Sequence, residues 1–194
     1  MALPNVVRVR QQFDRRRLED PCSAVGTGLK RLGLAGNVKP GARIAITAGS
    51  RGINNLVAMT RAAADAVKSM GGQPFIVPSM GSHGGATDEG QKNLLADLGI
   101  SEASMGCPVI SSMAVEEIGQ TRNGTPVYLD RNALRADGII VINRVKPHTA
   151  FRGEIESGLC KMLAVGLGKH KGAQQMHRAG LGPALYEAAR IILA

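Results

Sequence analysis

Three short apolar runs, each handing over at once to a glycine-rich or polar loop, restrict the architecture of this chain more than any other feature. They are residues 42–47 (ARIAIT), 74–78 (PFIVP) and 137–143 (DGIIVIN). Runs of this length, rich in Ile and Val and with almost no polar alternation, read as strands buried on both faces, the third being the purest of them. Between them lie helical patterns. Residues 54–70 place Leu56, Met59, Ala63, Ala66 and Val67 on one face and stop at Gly71-Gly72, and residues 87–98 form a helix capped by Thr87 or Asp88. Strand, helix, strand, helix, strand is the order of an α/β fold, a mostly parallel Rossmann-like sheet flanked by helices. Residues 109–129 add short strands around an Asn123-Gly124 hairpin turn. Ahead of the first strand, residues 5–10 alternate like an edge strand, and residues 20–34 have helical spacing through Val25, Leu29 and Leu32. The expected layout is an N-terminal extension of strand and helix over residues 1–39, packed on one α/β domain over residues 40–194.

Composition narrows the class of function. With 44% hydrophobic and 20% charged residues, the 194-residue chain is an ordered globular protein. No apolar run reaches the roughly 18 residues needed to span a bilayer, and the N-terminus lacks a signal-peptide layout, so a cytoplasmic protein without membrane attachment is expected. Cys22, Cys107 and Cys160 form no CxxC pair and read as reduced thiols. The net charge of +9 favours anionic partners. Nucleic acid is a poor candidate, because aromatics make up only 3% and Trp is absent, and the basic residues are dispersed apart from Arg15, Arg16 and Arg17. Small carboxylates or a phosphate-bearing cofactor suit this distribution better.

In a parallel sheet the loops at the carboxyl ends of the strands build the site. Here these loops are AGSRG (48–52), MGSHGG (80–85) and RVKPHT (144–149), so three parallel neighbours would bring Arg51, His83 and His148 to one edge. Residues 147–177 (PHTAFRGEIESGLCKMLAVGLGKHKGAQQMH) add Lys161, Lys169, Lys171 and three of the four histidines. GxGxxG in dinucleotide-binding form, GxxxxGK[ST], GxSxG and HExxH are all absent. GLGKHKG (166–172) remains a candidate phosphate cradle through its backbone N–H groups, helped by Lys169 and Lys171. His170, between two lysines, reads as a solvated residue.

These landmarks resemble the N-terminal domain of the nickel-pincer-dependent lactate racemase family of 2-hydroxyacid racemases and epimerases. The resemblance rests on Arg51 in GSRG, His83 in GSHGG, His148 in PHTAFRG, Lys161, and His177 sixteen residues after it. It covers roughly residues 40–194. It implies that Lys161 carries a covalently attached pyridinium-3,5-bisthiocarboxylic acid mononucleotide, and that His177 is the protein ligand to its nickel. It further implies hydride transfer from C2 of a small anionic 2-hydroxyacid, with His83 and His148 as proton carriers. Ser50 and Arg51 would bind the cofactor, Arg51 also the substrate, and cofactor-synthesis proteins would be partners in maturation. The family's D-x-T-R is Ala48-Gly49-Ser50-Arg51 here, and the segment from His148 to Lys161 is about three residues longer than in lactate racemase, with Glu154 and Glu156 in the added region. The chain ends within an apolar helical pattern, and the family's C-terminal domain is not expected in it. Two other readings stay open: a non-catalytic relative or truncated domain that binds an anionic metabolite or phosphate, and a nucleic-acid-binding module.

Overall fold

The computed structural model of the chain describes residues 6–13, 17–149, 151–153 and 155–194. Arg15, Arg16 and Glu154 therefore lie outside the described residues. The chain runs through α1 (Pro21–Arg31), α2 (Leu34–Asn37), β1 (Arg43–Ala48), α3 (Leu56–Ser69), β2 (Gln73–Pro78), a 3-10 turn (Gly84–Ala86), α4 (Asp88–Asp97) and α5 (Glu102–Met105). It continues with β3 (Val115–Gln120), β4 (Pro126–Asp130), α6 (Arg131–Leu134), β5 (Gly138–Ile140) and α7 (Leu159–Lys161). A π-helical segment (Met162–Leu167), α8 (Lys169–Arg178) and α9 (Gly182–Ile192) complete it.

The main sheet is parallel, in the order β2-β1-β5. Its central strand is buried on both faces, with Ile44, Ala45, Ile46, Thr47 and Ala48 all shielded from solvent. Ile46, Ala48 and Ile76 pack with Leu56, Ala63, Ala64 and Leu95 of α3 and α4 on one side. Ala45, Phe75 and Val77 pack with Leu163, Leu167 and Ala189 on the other. Helices thus cover both faces, as near-continuous apolar strands require. Residues 108–110 extend the outer edge of β2, where Ile76 N–H donates to Pro108 O (2.8 Å) and Ile110 N–H to Ile76 O (2.9 Å). β3 and β4 form a separate antiparallel hairpin whose turn holds Gly124 at φ +74°. No helix among the described residues is long and apolar enough to cross a membrane.

Two expectations are corrected. The strand read over residues 137–143 spans only Gly138–Ile140 and is half-buried, because β5 lies at the sheet's border. After Ile140, the buried Thr47 hydroxyl accepts the Ile142 N–H at 3.0 Å, taking the chain out of the ladder. The strand expected over residues 5–10 is not formed in its described part. Val6, Val7 and Val9 are exposed there and no sheet edge adjoins them, so Val-Arg alternation alone does not make a strand.

The loop after β2 owes its path to a close backbone contact. Gly84 has φ +64°, and its carbonyl sits against Gly90 of α4, so that a Cβ at Gly90 would land on that oxygen. Gly90→Ala is expected to destabilise by about 1–3 kcal/mol, typical of overpacking, lowering the melting temperature by several degrees. Gly28→Ala, on a helix with nothing near, is expected to raise it. Thermal melts of both variants check this.

Candidate functional site

The carboxyl ends of β1, β2 and β5 open onto one cavity of about 440 Å³. From β1 the chain leaves toward β2 on one side, while β5 pairs on the other. The loops diverge there, and a crevice opens. Arg51, His83, His148, Lys161 and His177 all line it, together with Ser50, so the residues that carry the family resemblance are brought to one place. His170 does not line it and is exposed.

Ser50 leaves the end of β1 and meets the loop after β2, with its Oγ 2.5 Å from Nδ1 of His83. Burial, then the Arg51 and Lys161 charges, hold the His83 imidazole below its ordinary pKa. With its proton on Nε2, the neutral ring accepts the Ser50 hydroxyl at Nδ1; the other tautomer reverses the bond. His148 sits on the loop after β5, its ring tilted by 31° on Phe151 at 4.5 Å between centroids. Its Nε2 lies 3.0 Å from Lys161 Nζ. Burial, then Lys161 and Lys146, push the His148 pKa down, against the opposing pull of Glu156.

Glu156 clips the loop that carries His148. Its carboxylate accepts the His148 backbone N–H at 2.7 Å and the Gly153 N–H at 3.1 Å, which hold its pKa below the usual range. Asn143 Nδ2 donates to Gly158 O at 2.7 Å, tying the exit of β5 to the start of α7.

Lys161 and His177 reach the same cavity because the helix between them is not regular. Along an uninterrupted α-helix, sixteen residues at about 100° each would leave two side chains about 160° apart, on nearly opposite faces. The wide π turn and the left-handed Lys169 (φ +53°) rephase them. Gly166 lets this segment press on the loop after β2, since a Cβ there would come within 2.7 Å of Ser79 O.

GLGKHKG is thereby corrected as a phosphate cradle. Its glycines serve close helix packing, Lys169 is fully buried, and Lys171 lies over the Tyr128 ring at 4.9 Å. A glycine-rich stretch in sequence signals either a loop or a close approach, and here it is the second.

Among the described residues the cavity wall is cationic: Arg51, Arg144, Lys146 and Lys161 line it, and no Asp or Glu does. None of these four side chains forms an ion pair among the described residues. Arg144 and Lys146 lie in the RVKPHT loop already noted, yet nothing local to them marked them as cavity residues. Burial, then Lys146 and Arg51, lower the Lys161 pKa, so its amine is neutral more often than an ordinary lysine's. At pH 8, N-hydroxysuccinimide acetate is expected to acetylate Lys161 several-fold faster than the exposed Lys39. Peptide mass spectrometry reads the ratio, and equal or slower labelling of Lys161 would contradict the lowered basicity.

Compared with known proteins, residues 36–186 match the model of the lactate racemase N-terminal domain. No curated protein matches the chain.

Proposed function

The chain belongs to the lactate racemase N-terminal domain family, and from that premise we propose that its cavity racemises or epimerises a small anionic 2-hydroxyacid with a lysine-tethered nickel-pincer nucleotide. The observation that carries this reading is the convergence of Lys161, His83, His148 and His177 on a cavity whose described wall holds four cations and no carboxylate.

The residues fit the group. Pyridinium-3,5-bisthiocarboxylic acid mononucleotide is anionic, and a wall with Arg and Lys and, among the described residues, no carboxylate suits its phosphate. The Lys161 amine, less basic than usual and open to the cavity, is suited to an amide-type bond to one of its carboxyl groups. Among the described residues no group of three or more His, Cys, Asp or Glu side chains is placed to hold a metal alone. Nickel here would take its remaining donors from the nucleotide, with His177 as the protein ligand, and neutral imidazole suits that ion.

When bound, the group supplies a reversible acceptor for the hydrogen on C2. The remaining work falls to the chain. Arg51 offers a forked, permanently charged donor to the substrate carboxylate or a cofactor oxygen, and Ser50 stands beside it. His83 and His148, both held below their ordinary pKa, are neutral near pH 7, the form that takes up the hydroxyl proton, His83 through the Ser50 hydroxyl on its Nδ1. Two such rings from different loops serve the two enantiomers, one for each configuration. Acylation of Lys161 removes a cation that depresses both imidazoles, so loading returns them toward the range where uptake and release of a proton balance.

The proposal is tested by expressing the chain with the cofactor-synthesis proteins, then measuring intact mass and nickel content. Wild type, His83→Ala and His148→Ala should carry the adduct, and Lys161→Ala should not. Each histidine variant should lose about 10²-fold or more in racemisation of its 2-hydroxyacid. A wild-type chain with neither adduct nor nickel would remove the enzyme reading and leave a domain that binds an anionic metabolite or phosphate.

A further inference from the structure

The polar groups buried behind the cavity form a chain that ends at His83. Gln91 lies on α4 with no exposed surface, and both ends of its amide are engaged. Nε2 donates to Gly81 O at 2.9 Å and to His83 O at 3.2 Å. Oε1 accepts from Lys169 Nζ at 3.2 Å. Lys169 is also fully buried; its ammonium donates to Pro78 O, the carbonyl that closes β2, and lies 3.3 Å from Asp130 Oδ2. Asp130, likewise without exposed surface, is held in turn by the Asn132 and Ala133 N–H groups on its Oδ1, at 2.7 and 3.0 Å.

The orientation of the Gln91 amide is dictated by this arrangement. An ammonium can only donate, so the amide oxygen must face Lys169 and the NH2 must face the two loop carbonyls. Turned over, the amide would set donor against donor and oxygen against oxygen. The loop needs such a support, because Gly81, Gly84 and Gly85 all have positive φ (61°, 64° and 66°) and contribute little stiffness of their own. Lys169 reaches inward from a left-handed conformation at the junction of the π segment and α8, a backbone geometry that side chains rarely adopt.

We propose that Gln91, oriented by the buried Lys169–Asp130 pair, is a positioning residue for His83, fixing the loop backbone so that the ring's Nδ1 stays on the Ser50 hydroxyl and its N–H stays on Nε2. The inference deepens the reading of His83 as a proton carrier and rests on it for its consequence in catalysis. The positioning itself is measurable without cofactor or substrate.

The test is nuclear magnetic resonance on the full chain without cofactor, at a pH where the His83 ring is neutral. In the wild type, the ring nitrogens should report the Nε2–H tautomer. The Gln91 side-chain amide protons should exchange with water at least about a hundredfold more slowly than those of the exposed Gln11. In Gln91→Met, the His83 ring should populate both tautomers and the amides of residues 81–85 should exchange at least about tenfold faster, with the His148 ring signals unchanged. Gln91→Glu keeps the contact with Lys169 but replaces the NH2 donor. It should disturb His83 in the same way, and it serves as the variant if Gln91→Met fails to fold. A lower melting temperature with an unaltered His83 tautomer in the folded variant would mean a structural role alone and overturn the proposal, as would fast exchange of the wild-type Gln91 amide. A missing Lys161 adduct would overturn the functional reading and leave these measurements standing.

Discussion

Much of this fold hangs on one ion pair out of reach of water. Lys169 and Asp130 have no exposed surface and join segments that are distant in the chain. Asp130 ends β4 and caps α6, and Lys169 starts α8 and caps the last carbonyl of β2. Removing one partner of such a pair typically costs about 3–5 kcal/mol, because the other is left charged and unpaired. Burial lowers the Lys169 pKa and the Asp130 carboxylate opposes that, so the pair holds its charge only while both members stay in place. The hairpin, the first sheet and the helices behind the cavity are thereby fastened at a single point.

The cavity has the opposite electrostatic character. Among the described residues its cations face no carboxylate, and their mutual repulsion favours an anion there. Burial first and this field second move three groups in one direction: the pKa values of His83, His148 and Lys161 are all lowered, toward their neutral forms. Glu156 is the exception that keeps the arrangement bounded, since it binds the backbone of the His148 loop without entering the cavity wall.

What could be read from the sequence was whatever depends on near neighbours. β1, α3, β2 and α4 follow from apolar periodicity and turn residues within their own spans, and of the two cap residues read for α4, Thr87 or Asp88, it is Thr87 that caps. The convergence of Arg51, His83 and His148 followed from topology alone once the strands were taken as parallel. The early end of β5 did not, because it depends on a hydroxyl from Thr47, 95 residues earlier. Lys169 was misread as a ligand for phosphate, since its burial requires an aspartate on another element. Gln91 left a faint trace, as a polar residue on the stripe that carries Leu95, but the partner that orients it, Lys169, lies 78 residues on. The contact of Ser50 with His83, 33 residues apart, was likewise invisible.

The wide π turn between Lys161 and His177 turns chain length into a chemical variable. Along an ordinary α-helix each residue removed between Lys161 and His177 turns one by about 100° relative to the other, and the π turn over residues 162–167 is what accommodates the present count. Every reactive residue would survive such a deletion, and a motif search tolerant of gaps would still find them in order. Whether the two still meet at one cavity, as they do here, depends on that count together with the π turn. In chains of this kind the count of residues between the two is therefore as diagnostic as their identity, and an insertion or deletion there separates a competent site from a sequence that only spells one.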